Sequence, residues 1–311
     1  MKSIAIWSTP LPNTTKSVEN LELHFNLWKI PNGESGPSKF IDIGIKVESE
    51  RNIDSLNLYF PKRIEKDDFE DIVSKFIDKP DLVSAIFNED YDVVSNASTK
   101  FYEIRKAKET VFYIYRTSDT DLQFTNCYGG TIVSFKIPPR REKIYFRFRI
   151  KGEFVNSLSS VSRPTNAIFQ SAFSIIEMID FRVNEIRDLN LDLLEKIRSD
   201  GEVRISKLHF FFICSNKEEV VGNHLPYGNC RNLENYRWDN YVDLRENRGN
   251  VYLAYHWKET NKENVAVLIK TRYEKNNWST IFKYLLIGAA IALLIELVSN
   301  YVYDIIKENL R

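Results

Sequence analysis

Histidine, cysteine and methionine are scarce in this 311-residue chain, with four, three and two copies. No Walker loop, GxGxxG, HExxH, CxxC or GxSxG pattern occurs, so the common phosphate-loop, metalloprotease, redox and nucleophile-elbow chemistries have no sequence support. An excess of one charge is missing too. The 43 basic residues balance 43 acidic ones, which argues against a general polyanion binder and leaves room for a local basic patch. Cys127, Cys214 and Cys230 are odd in number and fit no zinc or disulfide spacing, as suits a reducing compartment. Repeats and low-complexity tracts are absent. Residues 1–7 hold one lysine and a short mixed apolar run, without the h-region or cleavage site of a signal peptide.

One long hydrophobic run is present, near the end of the chain. Residues 281–303 read IFKYLLIGAAIALLIELVSNYVY, about 34 Å of helix, enough to cross a hydrocarbon core of about 30 Å. Trp278 and Tyr284 lie at one end and Tyr301 and Tyr303 at the other, as interfacial anchors do. The expectation is a single-pass tail anchor. Lys270, Arg272, Lys275 and Lys283 flank it on the N-terminal side, whereas the charges of residues 304–311 nearly cancel. The positive-inside rule then leaves the large domain in the cytosol at the inner membrane and exports a short tail.

Glu296 is out of place in such a run, and a carboxylate in lipid is functional by default. Leu285, Ala289, Ala292, Glu296, Ser299 and Tyr303 recur with a seven-residue period and form one seam. Gly288 and Ala292 make a small-xxx-small pair for close helix approach, with Ala289 beside them, and Asn300 adds a polar group one turn beyond Glu296. A homo-oligomer, with a tetramer as the first guess, would turn Glu296, Ser299, Asn300 and Ala292 toward a shared hydrated axis. A ring of glutamates would favour cations. The alternative is a shorter span, 281–298, with Glu296 at the interface.

For the soluble part, 20 phenylalanines and 16 tyrosines favour sheet. Period-two or apolar runs predict strands at 21–30, 40–47, 56–60, 111–116, 122–126, 131–137, 143–151 and 203–214, with a long turn at 117–121. Residues 67–76, 80–87 and the long stretch 165–198 read as helices, the last from Phe169, Phe173, Ile176, Ile179, Val183 and Ile186. Residues 215–250 look irregular, and 251–257 with 265–272 read as a hairpin that runs almost directly into the membrane helix. The fold class is α+β: a β-rich module with a few helices, followed by one C-terminal transmembrane helix. A boundary near 152–164 would divide it into 1–155 and 156–275.

The one basic strand is KIYFRFRIK. Lys143, Tyr145, Arg147, Arg149 and Lys151 alternate with Ile144, Phe146, Phe148 and Ile150, and Arg140, Arg141 and Arg163 flank them. Such a face can hold phosphates through guanidinium forks and stack a base on tyrosine. It can equally be a solvated face paired with Glu103 and Glu109. His209 reads as a core or edge residue, His24 as polar-face, and His256 as structural. His224 with Cys214 and Cys230 lacks a fourth metal partner. Asp239 and Asp243, with Glu234 and Glu246, read as a solvated acidic loop, and a tethered hydrolase using Asp239, Asp243 or His224 has little to stand on. Neither cofactor nor enzymatic activity is expected.

A β-rich module ending in one membrane helix that carries Glu296, with the basic strand 143–151, resembles the membrane effectors of bacterial antiviral defence, the Hailong-type channel effectors above all. The resemblance is architectural. It implies an oligomeric channel in membrane lipid, gated by a nucleotide or short oligonucleotide that a partner nucleotidyltransferase makes. The rival expectation is a tail-anchored scaffold that holds a soluble partner at the membrane without a pore.

Overall fold

The computed structural model describes residues 3–14, 19–31, 38–48, 52–95, 99–139, 142–162, 174–234, 238–239, 241–242, 244, 250–274 and 278–309. The chain opens with β1 (Ala5–Pro10), β2 (Glu19–Ile30), β3 (Ser38–Val47) and β4 (Ile53–Phe60). Next come β5 (Phe69–Asp71), α1 (Pro80–Phe87), β6 (Asp92–Ser95), β7 (Phe101–Lys106) and β8 (Glu109–Tyr115). They are followed by β9 (Leu122–Cys127), β10 (Gly130–Lys136), β11 (Ile144–Ile150), α2 (Glu153–Ser157), β12 (Ser159–Ser162) and β13 (Ser174–Val183). The remainder is α3 (Leu191–Asp200), β14 (Val203–Ser215), β15 (Glu218–Asn223), β16 (Asn229–Leu233), β17 (Tyr252–Lys262), β18 (Val265–Glu274) and α4 (Trp278–Asn309). The α+β class and the apolar C-terminal helix are as the sequence predicts.

Two compact units emerge: residues 1–160 with 177–271, and residues 161–176 with 272–311. The larger unit is organised by a ten-stranded sheet in the order β16-β17-β14-β2-β3-β11-β8-β7-β6, with β5 paired to β11. β2 and β14 run parallel, Leu23 opposite Leu208 and Phe25 opposite Phe210. That pairing joins the first and last thirds of the chain in one sheet, so the expected division into 1–155 and 156–275 is not a division of the fold. Two four-stranded sheets, β1-β4-β10-β9 and β12-β13-β18-β15, complete the list of sheets among the described residues.

Alternation explains the layering. Leu21, Leu23, Phe25 and Leu27 of β2 join Ile41, Ile43 and Ile45 of β3, Phe146 and Phe148 of β11, and Phe210 and Phe212 of β14 in the main core. Burying each such side chain contributes about 1.5–3 kcal/mol. A second core lies on the opposite face, where Trp28 and Phe40 meet Phe76, Trp238 and Tyr241.

Three expectations need correction. Residues 174–183 form a strand, not part of a long helix: Glu177, Ile179, Phe181 and Val183 are buried at period two. A buried glutamate at an inward position hid that period, while Ile176, Ile179 and Val183 also fit a helical one. Of the expected 165–198 helix, residues 165–173 lie outside the described residues, and 191–200 is helical as α3. Residues 67–76 hold β5 between two short 3-10 turns, because β11 offers a free edge that pairs Phe69 with Ile150. The supposed hairpin is no hairpin. β17 lies between β16 and β14, whereas β18 lies between β13 and β15. Asn261, with φ of 52°, sits in the left-handed region near this change of sheet, which asparagine tolerates.

In the smaller unit, α4 is 32 residues long, and its stretch Ile281–Lys307 has a mean hydropathy of 2.2 and is unburied within the protomer. It is long and apolar enough to cross a membrane once. The helix continues past 303 to Asn309, so most of the expected tail is helical, since backbone hydrogen bonds do not stop where apolar residues do. Residue 294 is the centre of that stretch, which puts Glu296 two residues, or about 3 Å, beyond it.

Candidate functional site

Strand register places Tyr145, Arg147 and Arg149 of the basic strand and three of the histidines on one face of the large sheet. Across β11, β3, β2, β14 and β17, one row reads Tyr145, Lys46, Glu22, Lys207 and Thr260. The next reads Arg147, Gly44, His24, His209 and Lys258, and the third Arg149, Asp42, Asn26, Phe211 and His256. The opposite face is the main core. This polar face has a covered half and an open half.

The covered half contains the basic strand. Its alternation is as expected, but Arg147 and Arg149 are only 1% and 4% exposed and Tyr145 is fully buried. Arg149 donates from Nε to Asp42 Oδ1 at 2.7 Å and from Nη2 to Oδ2 at 3.0 Å, and from Nη1 to the Tyr241 carbonyl at 3.1 Å. Its guanidinium also lies over the Phe40 ring at 4.1 Å. Arg147 donates to the hydroxyls of Tyr241 and Tyr145, both at 2.7 Å. With its amide turned so that the oxygen faces Arg147, Asn26 accepts from Nη2 at 2.8 Å. Tyr241 OH and Trp28 Nε1 donate to Asp42 Oδ2 at 2.7 and 3.2 Å.

These donors have their partners, so Arg147, Arg149 and Tyr145 do not present the phosphate-binding face that alternation predicted. The reason is tertiary: the segment carrying Trp238, Tyr241, Val242 and Leu244 packs in the same core as Trp28 and Phe40 and supplies partners from 92 to 94 residues away. Burial opposes the charge of Arg147, yet Asp42 and the two phenols outweigh it and raise its pKa. Lys143 reaches Glu48 at 2.7 Å, Lys151 is exposed, and Glu103 pairs with Arg105. Arg140, Arg141 and Arg163 lie outside the described residues.

The open half is a cleft of about 530 Å³. Glu22, His24 and His209 form its floor, with His256 beside them and Lys46, Lys207, Lys258 and Arg231 around the rim. Phe87, Tyr91, Phe112 and Phe211 supply aromatic wall. Gly44 makes room for Tyr145: a Cβ there would meet Tyr145 Oη at 2.0 Å, so the phenol lies where any other side chain would stand. His24 Nε2 is 3.2 Å from Glu22 Oε1, and Lys46 Nζ donates to Glu22 Oε2 at 2.9 Å. His209 Nδ1 faces His256 Nε2 at 3.0 Å, with the rings stacked 5.2 Å apart, and His24 meets His209 edge-on at 5.0 Å.

Burial holds all three imidazoles in the neutral form. His209 is pushed down to about 3, by burial first and then by its histidine neighbours, and His256 to about 4, by burial and Lys258. His24 is lowered by burial, with Arg147 and Lys46 adding to the effect and Glu22 opposing it. Glu22 falls well below the usual carboxylate range because hydrogen bonds from His24 and Lys46 outweigh its own burial.

A pH dependence follows. The unfolded chain takes up these protons as pH falls through about 6.5, whereas the folded cleft resists until about 4 at His256 and 3 at His209. Folding stability is therefore full above about pH 6.5 and falls as pH drops from there toward 3. Each histidine contributes up to about 1.4 kcal/mol per pH unit, reduced by solvent access to the cleft. Urea midpoints of chelator-treated protein at pH 7.5 and 5 check this; equal midpoints would contradict it.

Sequence reading missed this cluster because residues 24, 209 and 256 meet only through the parallel pairing of β2 with β14 and the antiparallel pairing of β14 with β17. A clue was present: Glu22 and His24 share one face of a clear alternating strand. Glu22, His24 and His209 are the group of side chains suited to metal binding among the described residues. Cys214 is buried, which pushes its thiol pKa up, while Cys230 and His224 are exposed. Asp243 and Glu246 lie outside the described residues. On α4, Glu296, Ser299, Asn300, Ala292, Ala289 and Gly288 are all exposed in the single protomer, and nothing lies within 4 Å of where a Gly288 Cβ would be.

No family model and no curated protein matches this sequence. Among solved structures, the yeast delta-COP-I mu-homology domain complexed with Dsl1 WxWxV peptide aligns over 89% of this chain and 77% of its own. The identity is 10% and the TM-score 0.20, too low to carry an argument about fold or function.

Proposed function

We propose that this protein is a membrane effector that forms an oligomeric, cation-selective channel, gated by a nucleotide or short oligonucleotide bound to its soluble domain. The observation that carries the reading is Glu296, about 3 Å from the centre of a 27-residue apolar helix. A charge at that depth costs about 2.5–3.5 kcal/mol on insertion scales. Helices packed along the seam of Leu285, Ala289, Ala292, Ser299 and Tyr303 would give it a hydrated axis. A tetramer is the first guess for the assembly.

The ligand site in this reading is the histidine cleft, not the covered face of β11. Lys207, Lys258 and Arg231 at its rim would pair with phosphates, and Phe87, Tyr91, Phe112 and Phe211 offer surfaces for a base. A partner nucleotidyltransferase would supply such a ligand, and the likeness to antiviral effectors makes cell depolarisation the outcome. Only residues 275–277 separate β18 from α4, so there is little chain to absorb a movement of the strand. The soluble domain would face the cytosol of a cell whose inner membrane holds α4.

Replacing residues 281–303 with an unrelated apolar helix separates a channel from a mere tether. A channel loses conductance and toxicity with its own helix; a scaffold retains activity on any anchor. Full activity in the exchanged protein would overturn the channel.

A further inference from the structure

The cleft floor has the donor set of a metal site, and this stands whether or not α4 conducts. One ligand atom from each of Glu22, His24 and His209 lies within 4.8 Å of the others. Donors around a tetrahedral zinc, bonded at about 2.0–2.1 Å, are about 3.3 Å apart. His24 Nε2 and Glu22 Oε1 already meet that spacing at 3.2 Å. His209 is on the strand paired directly with His24, so a rotation of its ring closes the two remaining edges, to His24 and to Glu22.

We propose that Glu22, His24 and His209 bind a divalent transition-metal ion of the zinc class, with its remaining coordination position open to the cleft. Two imidazoles and one carboxylate select such an ion over magnesium or calcium, which take oxygen donors. Three protein ligands with a free position is the arrangement of an open site, not a closed structural one. His256 supplies the outer contact: its Nε2 faces His209 Nδ1 at 3.0 Å and orients the His209 ring. Lys46 takes the other oxygen of Glu22 and leaves Oε1 for the metal.

The same surroundings set limits on affinity. Lys46, Lys207, Lys258 and Arg231 line the cleft and repel a cation, so binding is weaker than in closed zinc sites. They equally favour an anion in the open position. The ion and the rim lysines together would hold a phosphate or carboxylate more tightly than the lysines do alone.

The test uses the full chain in detergent, without a histidine tag, stripped with chelator and dialysed against Co²⁺. The expected result is one Co²⁺ per chain, with the visible absorption of a low-coordinate nitrogen–oxygen site, displaced by Zn²⁺. His209→Ala and Glu22→Gln should each weaken binding at least about 100-fold, and His256→Ala about 10-fold or more, as loss of an outer-shell partner does. His224→Ala should change nothing. His209→Asn, with melting curves beside it, keeps the readout if the alanine variant fails to fold. No bound Co²⁺ in the wild type, or binding that persists in both Glu22→Gln and His209→Asn, would overturn the site.

Discussion

Asp42→Ala is expected to lower the melting temperature by roughly 6–20 °C. Asp42 accepts two hydrogen bonds from Arg149, one from Tyr241 and one from Trp28, and all four residues are buried. Removing one member of such a buried pair costs about 3–5 kcal/mol, chiefly because the remaining charge is stranded. For domains of 150–250 residues, each kcal/mol shifts the melting point by about 2–4 °C. Arg149→Leu should recover part of the loss when combined with Asp42→Ala, since replacing both partners is far less costly than removing one. Lys151→Ala, at the exposed end of the same face, should stay within about 0.5 kcal/mol of wild type. A melting point unchanged by Asp42→Ala would mean that the covered half of the face is open to solvent, and would restore Arg147 and Arg149 as candidate ligand residues.

This contrast shows where the sequence was legible. Alternation in β2 and β11 identified the strands and sorted their faces correctly, because period two is a local property. Which polar face stays wet is not local. Tyr241 and Trp238, from a stretch that looked irregular, cover Arg147 and Arg149, while His24 and His209 line a cleft. Alternation therefore drew attention to the covered half of the face and away from the open one. α1 was legible to its ends because Pro80 marks its first turn, and Asn88, at φ 54°, sits where its last turn closes. β13 was not, since its inward Glu177 is made tolerable by partners distant in sequence: Lys29 of β2, 148 residues away, donates to it at 2.6 Å, and Lys39 of β3 pairs with its other oxygen. The cleft was invisible for the same reason: its histidines are brought together by pairing between the two ends of the chain.

The apolar helix was the most legible element, because crossing a membrane is specified by length and hydropathy alone. Glu296 is the residue on which the proposed function turns. A cation about 4 Å from one carboxylate gains about 1 kcal/mol even at the dielectric of bulk water. In the proposed oligomer several such groups would face the axis together. Glu296→Gln removes all of them while keeping the size and polarity of the side chain, so cation-over-anion selectivity should fall on the order of tenfold, or about 1.4 kcal/mol. Its effect on insertion should be small and in the favourable direction, as a charge is taken out of lipid.

Conductance of the purified protein in planar bilayers, wild type beside Glu296→Gln, tests this most directly. The account predicts cation-selective current in the wild type and a current that shrinks or loses selectivity in the variant. No current from a folded, inserted oligomer, with or without added nucleotides, or identical currents from both proteins, would contradict it.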